Sequence, residues 1–234
     1  VGTGQSGHGY LGWHPRQGLE ASLKINTNAW NRIRYTLYVP IYNLTVRALR
    51  ADRQRAISAL NLQPGERVLL IGAGTGEDLP LLPTGVEITA GDITPAMIDR
   101  LRQRAQSLNV SVEARVMDGQ ALDLPSNAYD VVILHLILAV IPDPNACFEE
   151  ALRVLRVGGR ISIYDKFLPD DARPSPLRRV LNGITGAVFT EINRQLGPIL
   201  KGKNVTIERR ERAKTMGRLG YSIVLLRKTE TAPH

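Results

Sequence analysis

The chain has 234 residues, 43% of them hydrophobic, a net charge of +8 and one cysteine, Cys147. A single cysteine excludes an internal disulfide and a cysteine-rich metal site, which favours a reducing, cytosolic setting, and no other metal site is predicted. The longest apolar run, Val131 to Ile141, is far shorter than the roughly 20 residues of a membrane-spanning helix. The length suits one α/β domain with an extension.

The charge is unevenly spread along the chain. Residues 1–60 carry a net charge of +6, residues 61–157 a net charge of −6, and residues 158–234 a net charge of +8. If the two basic segments meet in space, they present a positive face to an anionic membrane, a phosphorylated metabolite or a nucleic acid. The alternative interpretation is that these are ordinary solvated charges on helices.

The first 60 residues are predicted to form a flexible arm and a basic helical lid. Residues 1–22 are glycine-rich and aperiodic, whereas residues 28–60 have the spacing of an amphipathic helix that is interrupted by Pro40. The mixed aromatic and basic side chains of this helix suit a membrane interface or a lid over a lipid-like substrate, and equally a helix packed on its own domain. At a membrane, the arginines expected to contact the anionic surface are Arg47, Arg50 and Arg53.

A nucleoside-binding pattern lies between Val68 and Asp92. An apolar strand, Val68 to Ile71, leads directly into a loop with glycines at positions 72, 74 and 76. After a short helical segment, a second apolar strand ends on Gly91 and Asp92. Glycines let the backbone approach a ligand closely, and an acid at the end of the next strand can accept hydrogen bonds from both ribose hydroxyls. The pattern therefore predicts a nucleoside-binding crevice.

The residues that follow the glycines distinguish between two kinds of nucleoside ligand. A dinucleotide-binding loop needs a third glycine where this chain has Glu77, and the carboxylates of Glu77 and Asp78 would repel phosphates. Such acids suit a ligand that lacks phosphate and has a cationic centre. Here the chain resembles the class I S-adenosylmethionine-dependent methyltransferases, over roughly Val68 to Lys228.

The resemblance implies a fold and a cofactor. The expected fold is α/β and Rossmann-like, with a seven-stranded, mostly parallel sheet, a terminal antiparallel strand pair and an N-terminal helical extension. The expected cofactor is S-adenosyl-L-methionine, which is converted to S-adenosyl-L-homocysteine. The domain is expected to cover residues 61–234, after the arm and lid of residues 1–60.

Individual residues are carried over by the same resemblance. Asp92, Thr94 and Met97 fit the family's second motif, so Asp92 is expected to hold the ribose and Met97 to pack on the adenine. Asp118, in Asp-x-x-x-Leu-x-Leu-Pro, is expected to accept from the adenine amine. Leu70 departs from the family, which usually has a supporting acid there. The implied cofactor contacts are Tyr38, Gly72, Ala73, Gly74, Gly76, Asp92, Ile93, Met97, Asp118, Gly119 and His135.

Three residues are candidates for catalysis. His135 ends the apolar strand Tyr129 to His135, and ligands of open α/β sheets lie beyond the carboxyl ends of the strands. Its imidazole could take a proton from the acceptor or orient it, and a hydrogen-bonded structural histidine is the alternative. Asp165 ends the next strand and could bind a cationic amine, act as a base, or pair with a neighbour. The third candidate is Tyr42, because residues 35–42 resemble the tyrosine-rich segment that closes over the cofactor in lipid- and quinone-modifying methyltransferases.

The remaining elements complete the expected sheet. Predicted helices cover residues 95–108 and 145–155, and predicted strands cover residues 110–116 and 160–164, with Asp143 as the N-cap of the second helix. The strand-like runs 205–212 and 221–228 form the closing antiparallel pair that a dinucleotide-binding domain normally lacks.

The predicted function is methyl transfer to a small or amphipathic acceptor. Residues 140–144 resemble bacterial phosphatidylethanolamine N-methyltransferases, which favours a phospholipid headgroup amine. Methylation of a quinone or another natural product is the alternative. An oxidoreductase is disfavoured by Glu77, and a nucleic-acid-binding protein by an aromatic content of only 5%. The expected location is cytoplasmic, with a peripheral contact at the inner face of an anionic membrane, and the oligomeric state is left open.

Overall fold

The structure is a computed structural model, and it describes residues 49–168, 194–213 and 220–230. Tyr38, Tyr42, Arg47 and the predicted helix before residue 49 lie outside these ranges. The helices are α1 (Arg50–Ala59), α2 (Pro95–Leu108), α3 (Pro144–Val154) and α4 (Leu196–Leu200), with a 3₁₀ turn at Leu79–Leu81. The strands are β1 (Arg67–Ile71), β2 (Glu87–Asp92), β3 (Glu113–Val116), β4 (Tyr129–His135), β5 (Leu155–Lys166), β6 (Val205–Arg212) and β7 (Tyr221–Lys228).

The described strands form one sheet in the order β3-β2-β1-β4-β5-β7-β6. Strands β1 to β5 pair in parallel, and β7 inserts antiparallel between β5 and β6. This confirms the predicted mostly parallel sheet with a closing antiparallel pair. Parallel strands place their carboxyl ends at one edge, so the segments after β1, β2, β4 and β5 meet there.

Two strand boundaries differ from the prediction. β3 begins at Glu113 rather than at residue 110, because the Val110 N–H bonds to the Ala105 carbonyl as part of the exit from α2. β5 begins at Leu155 rather than at residue 160. Its first residue pairs with Tyr129, and the next pair is Val131 with Arg160, so the extra residues of β5 bulge out between the two pairs.

Hydrophobic side chains cover both faces of the sheet. β4 is the central strand, and its residues Val131, Val132, Ile133 and Leu134 are at most 1% exposed. One cluster packs α3 and α4 against the sheet, and the other packs α2 and the end of α1 against it. A continuous apolar run of this kind is typical of a strand buried on both faces.

Helix α1 packs on the sheet through a smaller cluster. Leu49 and Ala56 contact a group that contains Tyr164, Ala213 and Ile223. The guanidinium of Arg55 lies 2.7 Å from Glu211 of β6, so the end of the first basic segment meets the last one. Residues 50–59 therefore follow the packing alternative.

The position of Arg53 contradicts its predicted contact with a membrane. Its side chain is buried against the sheet, and the residue is only 4% exposed, whereas Arg50 is exposed. Among the described residues, no helix is both long and apolar enough to cross a membrane.

Strand β6 forms one edge of the described sheet, and β3 forms the other. The β6 sequence VTIERRER is mostly exposed, and its pairing with β7 shifts register between Ile207 and Arg209. Glu208 pairs with Arg227 of β7, and Arg209 lies 2.8 Å from Glu211 on its own strand. The β6 edge is therefore charged and irregular.

Candidate active site

The glycine loop after β1 has the backbone that its sequence predicts. Gly72, Gly74 and Gly76 have φ angles of 68°, 56° and 78°, in the left-handed region that favours glycine. A Cβ atom on Gly72 would lie 2.7 Å from the side chain of Ile137, which belongs to the segment after β4. The loop therefore turns sharply under the segment that follows β4.

Asp92 is held by the loop that it faces. One carboxylate oxygen, Oδ2, accepts from the Gly74 N–H at 3.0 Å, and Oδ1 accepts from the Thr94 N–H at 2.8 Å. Because each oxygen has two lone pairs, the carboxylate retains acceptor capacity for the two hydroxyls of a ribose. Burial raises the pKa of Asp92, and the two N–H donors oppose this rise.

The other predicted cofactor residues, which follow β2 and β3, differ in how exposed they are. Ile93 and Asp118 are partly exposed, and Asp118 Oδ1 accepts from the Gln120 N–H at 2.9 Å. Met97 is 2% exposed and has almost no surface to offer an adenine. A Cβ on Gly119 would lie 2.8 Å from Ile71 Cγ2, so this glycine is needed for packing against β1.

The two acids after the loop are paired with arginines within the protein. Glu77 pairs with Arg104 of α2. Asp78 Oδ2 lies 2.6 Å from the Arg53 guanidinium, and both side chains are about 95% buried. The expectation that these acids attract a cationic centre is therefore wrong, since each carboxylate already has an arginine partner.

His135 is enclosed by the protein. Its Nδ1 lies 3.0 Å from Asp78 Oδ1 and its Nε2 lies 3.0 Å from Ser162 Oγ, and the residue is 4% exposed. An ionised carboxylate only accepts, so Nδ1 carries a proton and Nε2 can accept from the Ser162 hydroxyl. Both ring nitrogens are thus occupied, which favours the structural alternative over proton transfer to an acceptor.

Asp165 is also buried, at 2% exposure, but its direct partners are backbone groups. Its oxygens accept from Ala139 N–H at 2.9 Å and Lys166 N–H at 2.7 Å. Burial raises its pKa to about 6, against the opposing effects of these donors and of the nearby Arg194 charge. Arg194 itself donates to the Leu138 carbonyl at 2.6 Å. Asp165 and Arg194 therefore hold the segment after β4.

Sequence reasoning missed the partners of Asp78 and His135, namely Arg53 and Ser162. A signal for Arg53 was present, because Leu49, Ala56, Ile57 and Leu60 share its helical face. An arginine inside an apolar stripe predicts a buried charge partner. Ser162 lies between the buried residues Ile161 and Ile163 of β5, and the sequence around it gives no signal of a polar partner.

These groups together fit S-adenosylmethionine. The turn at positions 72–76 has no side chains at its glycines, Asp92 has acceptor capacity for hydroxyls, and Asp118 is accessible at the neighbouring strand end. Among the described residues, no group of histidine, cysteine, aspartate and glutamate side chains could hold a metal ion. Cys147 is buried, and burial raises the pKa of its thiol to about 12.

Comparison with known proteins finds methyltransferases that are similar to this chain. Residues 69–163 match the methyltransferase domain family. Phosphatidylethanolamine N-methyltransferase of Cereibacter sphaeroides is 32% identical over 133 residues, which cover 56% of this chain and 65% of that protein. The ubiquinone/menaquinone biosynthesis C-methyltransferase UbiE of Stenotrophomonas maltophilia is 32% identical over 124 residues, which cover 50% and 48% of the two chains.

A solved structure with the same fold is the [4+2]-cyclase SpnF, with a TM-score of 0.75 at 18% identity, over 88% of this chain and 98% of that one. At this identity the likeness shows the fold alone. The chain spans about half to two thirds of the length of the two relatives above.

Proposed function

We propose that this chain, whose residues 69–163 form a class I methyltransferase domain with S-adenosylmethionine as cofactor, methylates the amine of a phospholipid headgroup, with phosphatidylethanolamine the best candidate. The observation that carries this choice is the match to the Cereibacter sphaeroides enzyme. The region aligned with that enzyme is 133 residues long, which is longer than the segment 69–163 that matches the methyltransferase domain family.

When bound, S-adenosylmethionine would supply a methyl group on a cationic sulfur, and an unprotonated amine would receive it by in-line displacement as the carbon–sulfur bond breaks. Such a displacement depends on proximity, alignment and a dry site more than on a catalytic side chain. Asp92 and the glycine loop bind and orient the cofactor. The segment after β4, which Asp165 and Arg194 hold in place, helps to exclude water.

The ammonium headgroup has to lose a proton before it attacks. His135 and Asp165 are poor acceptors for this proton, because both are buried and their polar atoms are engaged within the protein. Deprotonation by solvent, before the amine enters the crevice, is consistent with this arrangement. Tyr38 and Tyr42, outside the described residues, stay predictions as cofactor and catalytic contacts.

The basic surfaces support a contact with an anionic membrane. Arg50 at the start of α1 and Arg212 at the end of β6 are exposed, and the Arg55–Glu211 pair joins the two elements. A negatively charged leaflet attracts such groups within about one Debye length of its surface. We infer a peripheral contact at the cytoplasmic face for the same reason.

The second candidate is C-methylation of a quinone, which the match to UbiE favours. Both acceptors are lipid-like, so the structure of the crevice does not separate them. They differ in the atom that is methylated and in the base that is required, since a ring carbon has to be activated by removal of a phenolic proton.

The first experiment is transfer from methyl-labelled S-adenosylmethionine to a whole-cell extract, followed by separation of organic and aqueous phases. We expect label in the organic phase, and mass spectrometry then distinguishes methylated phosphatidylethanolamine from a methylated quinone. The Asp92→Ala variant serves as the negative control. Label confined to the aqueous phase would contradict a lipid acceptor.

A further inference from the structure

A buried network of polar side chains connects α1 to the active-site loops. Arg53 of α1 contacts Asp78 at 2.6 Å, Asp78 contacts His135 at 3.0 Å, and His135 contacts Ser162 at 3.0 Å. All four residues are at most 4% exposed. The network therefore runs from α1 through the residues after the glycine loop to β4 and β5.

The last three members have the order of a serine, histidine and aspartate triad, but they are not a nucleophilic site. Ser162 is 1% exposed in the middle of β5, so no substrate carbonyl reaches its hydroxyl. Asp78 is ion-paired to Arg53, which together with His135 holds the pKa of this carboxyl well below its usual range, against desolvation. A nucleophilic triad needs an accessible serine and space for an oxyanion. The network of Arg53, Asp78, His135 and Ser162 is instead a structural connection between these elements.

The position of this connection relates it to the cofactor. Asp78 follows Gly76 by two residues, and its neighbour Leu79 would meet a Cβ on Gly76 at 2.9 Å. His135 directly precedes the segment that contains Ile137, which lies over Gly72. The carboxylate of Asp78, which itself follows the glycine loop, therefore contacts α1 through Arg53. Through His135 it contacts the end of β4, where the segment over Gly72 begins.

We propose that Arg53 is a positioning residue, which sets the glycine loop and the segment after β4 in their cofactor-binding geometry through Asp78 and His135. Docking of α1 on the sheet is then coupled to cofactor affinity, although Arg53 itself contacts no cofactor. A group that binds a ligand has to be held within about 0.5 Å by its supporting contacts. The proposal rests on the cofactor site and is independent of which acceptor is methylated.

Helix α1 provides a matched control. Arg55, two residues from Arg53, lies 2.7 Å from Glu211 of β6 and 3.6 Å from the buried Asp52. It anchors the same helix to the edge strand β6, which β4, β5 and β7 separate from β1 and its glycine loop in the strand order. Its loss tests whether undocking of α1 in general, or loss of the Asp78 contact in particular, changes cofactor binding.

The experiment measures the dissociation constant of S-adenosylhomocysteine by calorimetry for Arg53→Met and Arg55→Met, with folding checked by circular dichroism. We expect binding to weaken roughly tenfold or more in Arg53→Met, as for other residues that orient a binding group, and less than about twofold in Arg55→Met. Equal dissociation constants in the two variants would overturn the proposal. A wild-type chain that binds no S-adenosylhomocysteine would overturn the cofactor assignment itself.

A double variant keeps the test decisive if Arg53→Met does not fold. Arg53→Met with Asp78→Asn removes the unpaired buried charge, and the asparagine oxygen can still accept from His135 Nδ1. We expect its melting temperature to recover while cofactor binding stays weak. Recovery of wild-type affinity together with the melting temperature would show that Arg53 acts on folding alone, and would overturn the proposal.

Discussion

Asp78 and Asp165 are two buried carboxylates on either side of the carboxyl end of β4, and they behave in opposite ways. Desolvation is the largest effect on both and raises the pKa of each. Asp78 has a guanidinium at 2.6 Å and an imidazole at 3.0 Å, and its pKa falls. Asp165 has two backbone donors and a less direct arginine, and its pKa rises to about 6.

The difference shows that a direct ion pair can outweigh burial where two backbone hydrogen bonds do not. It also separates two ways to hold a loop. The Asp78 network joins side chains of three elements, whereas Asp165 binds the backbone after β4 without a full counter-charge. Four experiments test or sharpen this contrast.

The largest expected effect is the loss of the Asp78 charge. In Asp78→Asn the guanidinium of Arg53 stays buried without its carboxylate, so we expect the free energy of unfolding to fall by about 3 to 5 kcal/mol. Urea denaturation measures it. Asp165→Asn is the matched variant, and at pH 7 it should cost only about 1 kcal/mol, because it loses one hydrogen bond while it removes a charge that is only partly compensated. Similar losses in both variants would break the contrast.

The second effect is the pH dependence of Asp165. The folded chain binds its proton more tightly than the unfolded chain, since the pKa is about 6 rather than 3.8. This group therefore stabilises the fold most below pH 3.8, and the contribution is lost as the pH rises through about 6. We expect the difference in unfolding free energy between wild type and Asp165→Asn to fall by about 2 kcal/mol from pH 4.5 to pH 7.

The same pH series for Asp78→Asn provides the contrast. The folded pKa of Asp78 is depressed, so its contribution is present above pH 3.8 and is lost only as the pH falls below that value. The titration of Asp78 itself therefore adds no slope to the difference between wild type and Asp78→Asn from pH 4.5 to pH 7. Parallel curves for the two variants would refute the assigned directions.

A third carboxylate, Asp92, resembles Asp165 in having backbone donors, but it retains capacity for a ligand. In Asp92→Ala we expect cofactor binding to weaken by about 1 to 3 kcal/mol, because the ribose hydroxyls lose a charged acceptor. Calorimetry with S-adenosylhomocysteine measures the change. Asp99→Ala, an exposed acid 3.3 Å from Arg102 on α2, should bind as the wild type does. An unchanged dissociation constant in Asp92→Ala would contradict the assigned role.

The smallest expected effect separates the exposed Arg50 from the buried Arg53. If the basic face contacts a membrane, Arg50→Gln should weaken binding to anionic phosphatidylserine vesicles by up to about 1 kcal/mol. Cosedimentation measures this, with the exposed Gln54→Ala and neutral phosphatidylcholine vesicles as controls. Equal binding of Arg50→Gln and the wild type would argue against a contact at this end of α1.

Much of the fold could be predicted from sequence because its elements depend on local patterns. An apolar run predicted β4, and strand-like runs around a glycine-containing turn predicted β6 and β7, each with its observed bounds. Asp143 accepts from the N–H groups of Asn145 and Ala146, as an N-cap is expected to do. Such features involve residues near one another in the chain.

The chemistry of the site was less predictable because its partners are distant in sequence. Arg53 and Asp78 are 25 residues apart, and Asp78 and His135 are 57 apart. A pattern along the chain places His135 at a strand end, but its access to a substrate depends on what packs over it. The sequence therefore identified the position of His135 and left open whether it faces the cofactor or the interior.

The irregular edge at β6 bears on how the protein behaves at high concentration. A regular, apolar edge strand would offer unpaired backbone groups to a strand of another molecule. β6 instead combines a register shift with five charged residues in eight positions, so an added strand would meet both a twist and repulsive side chains. This edge of the sheet is thereby protected against pairing with a strand of another molecule, so the last strand favours solubility as well as completing the fold.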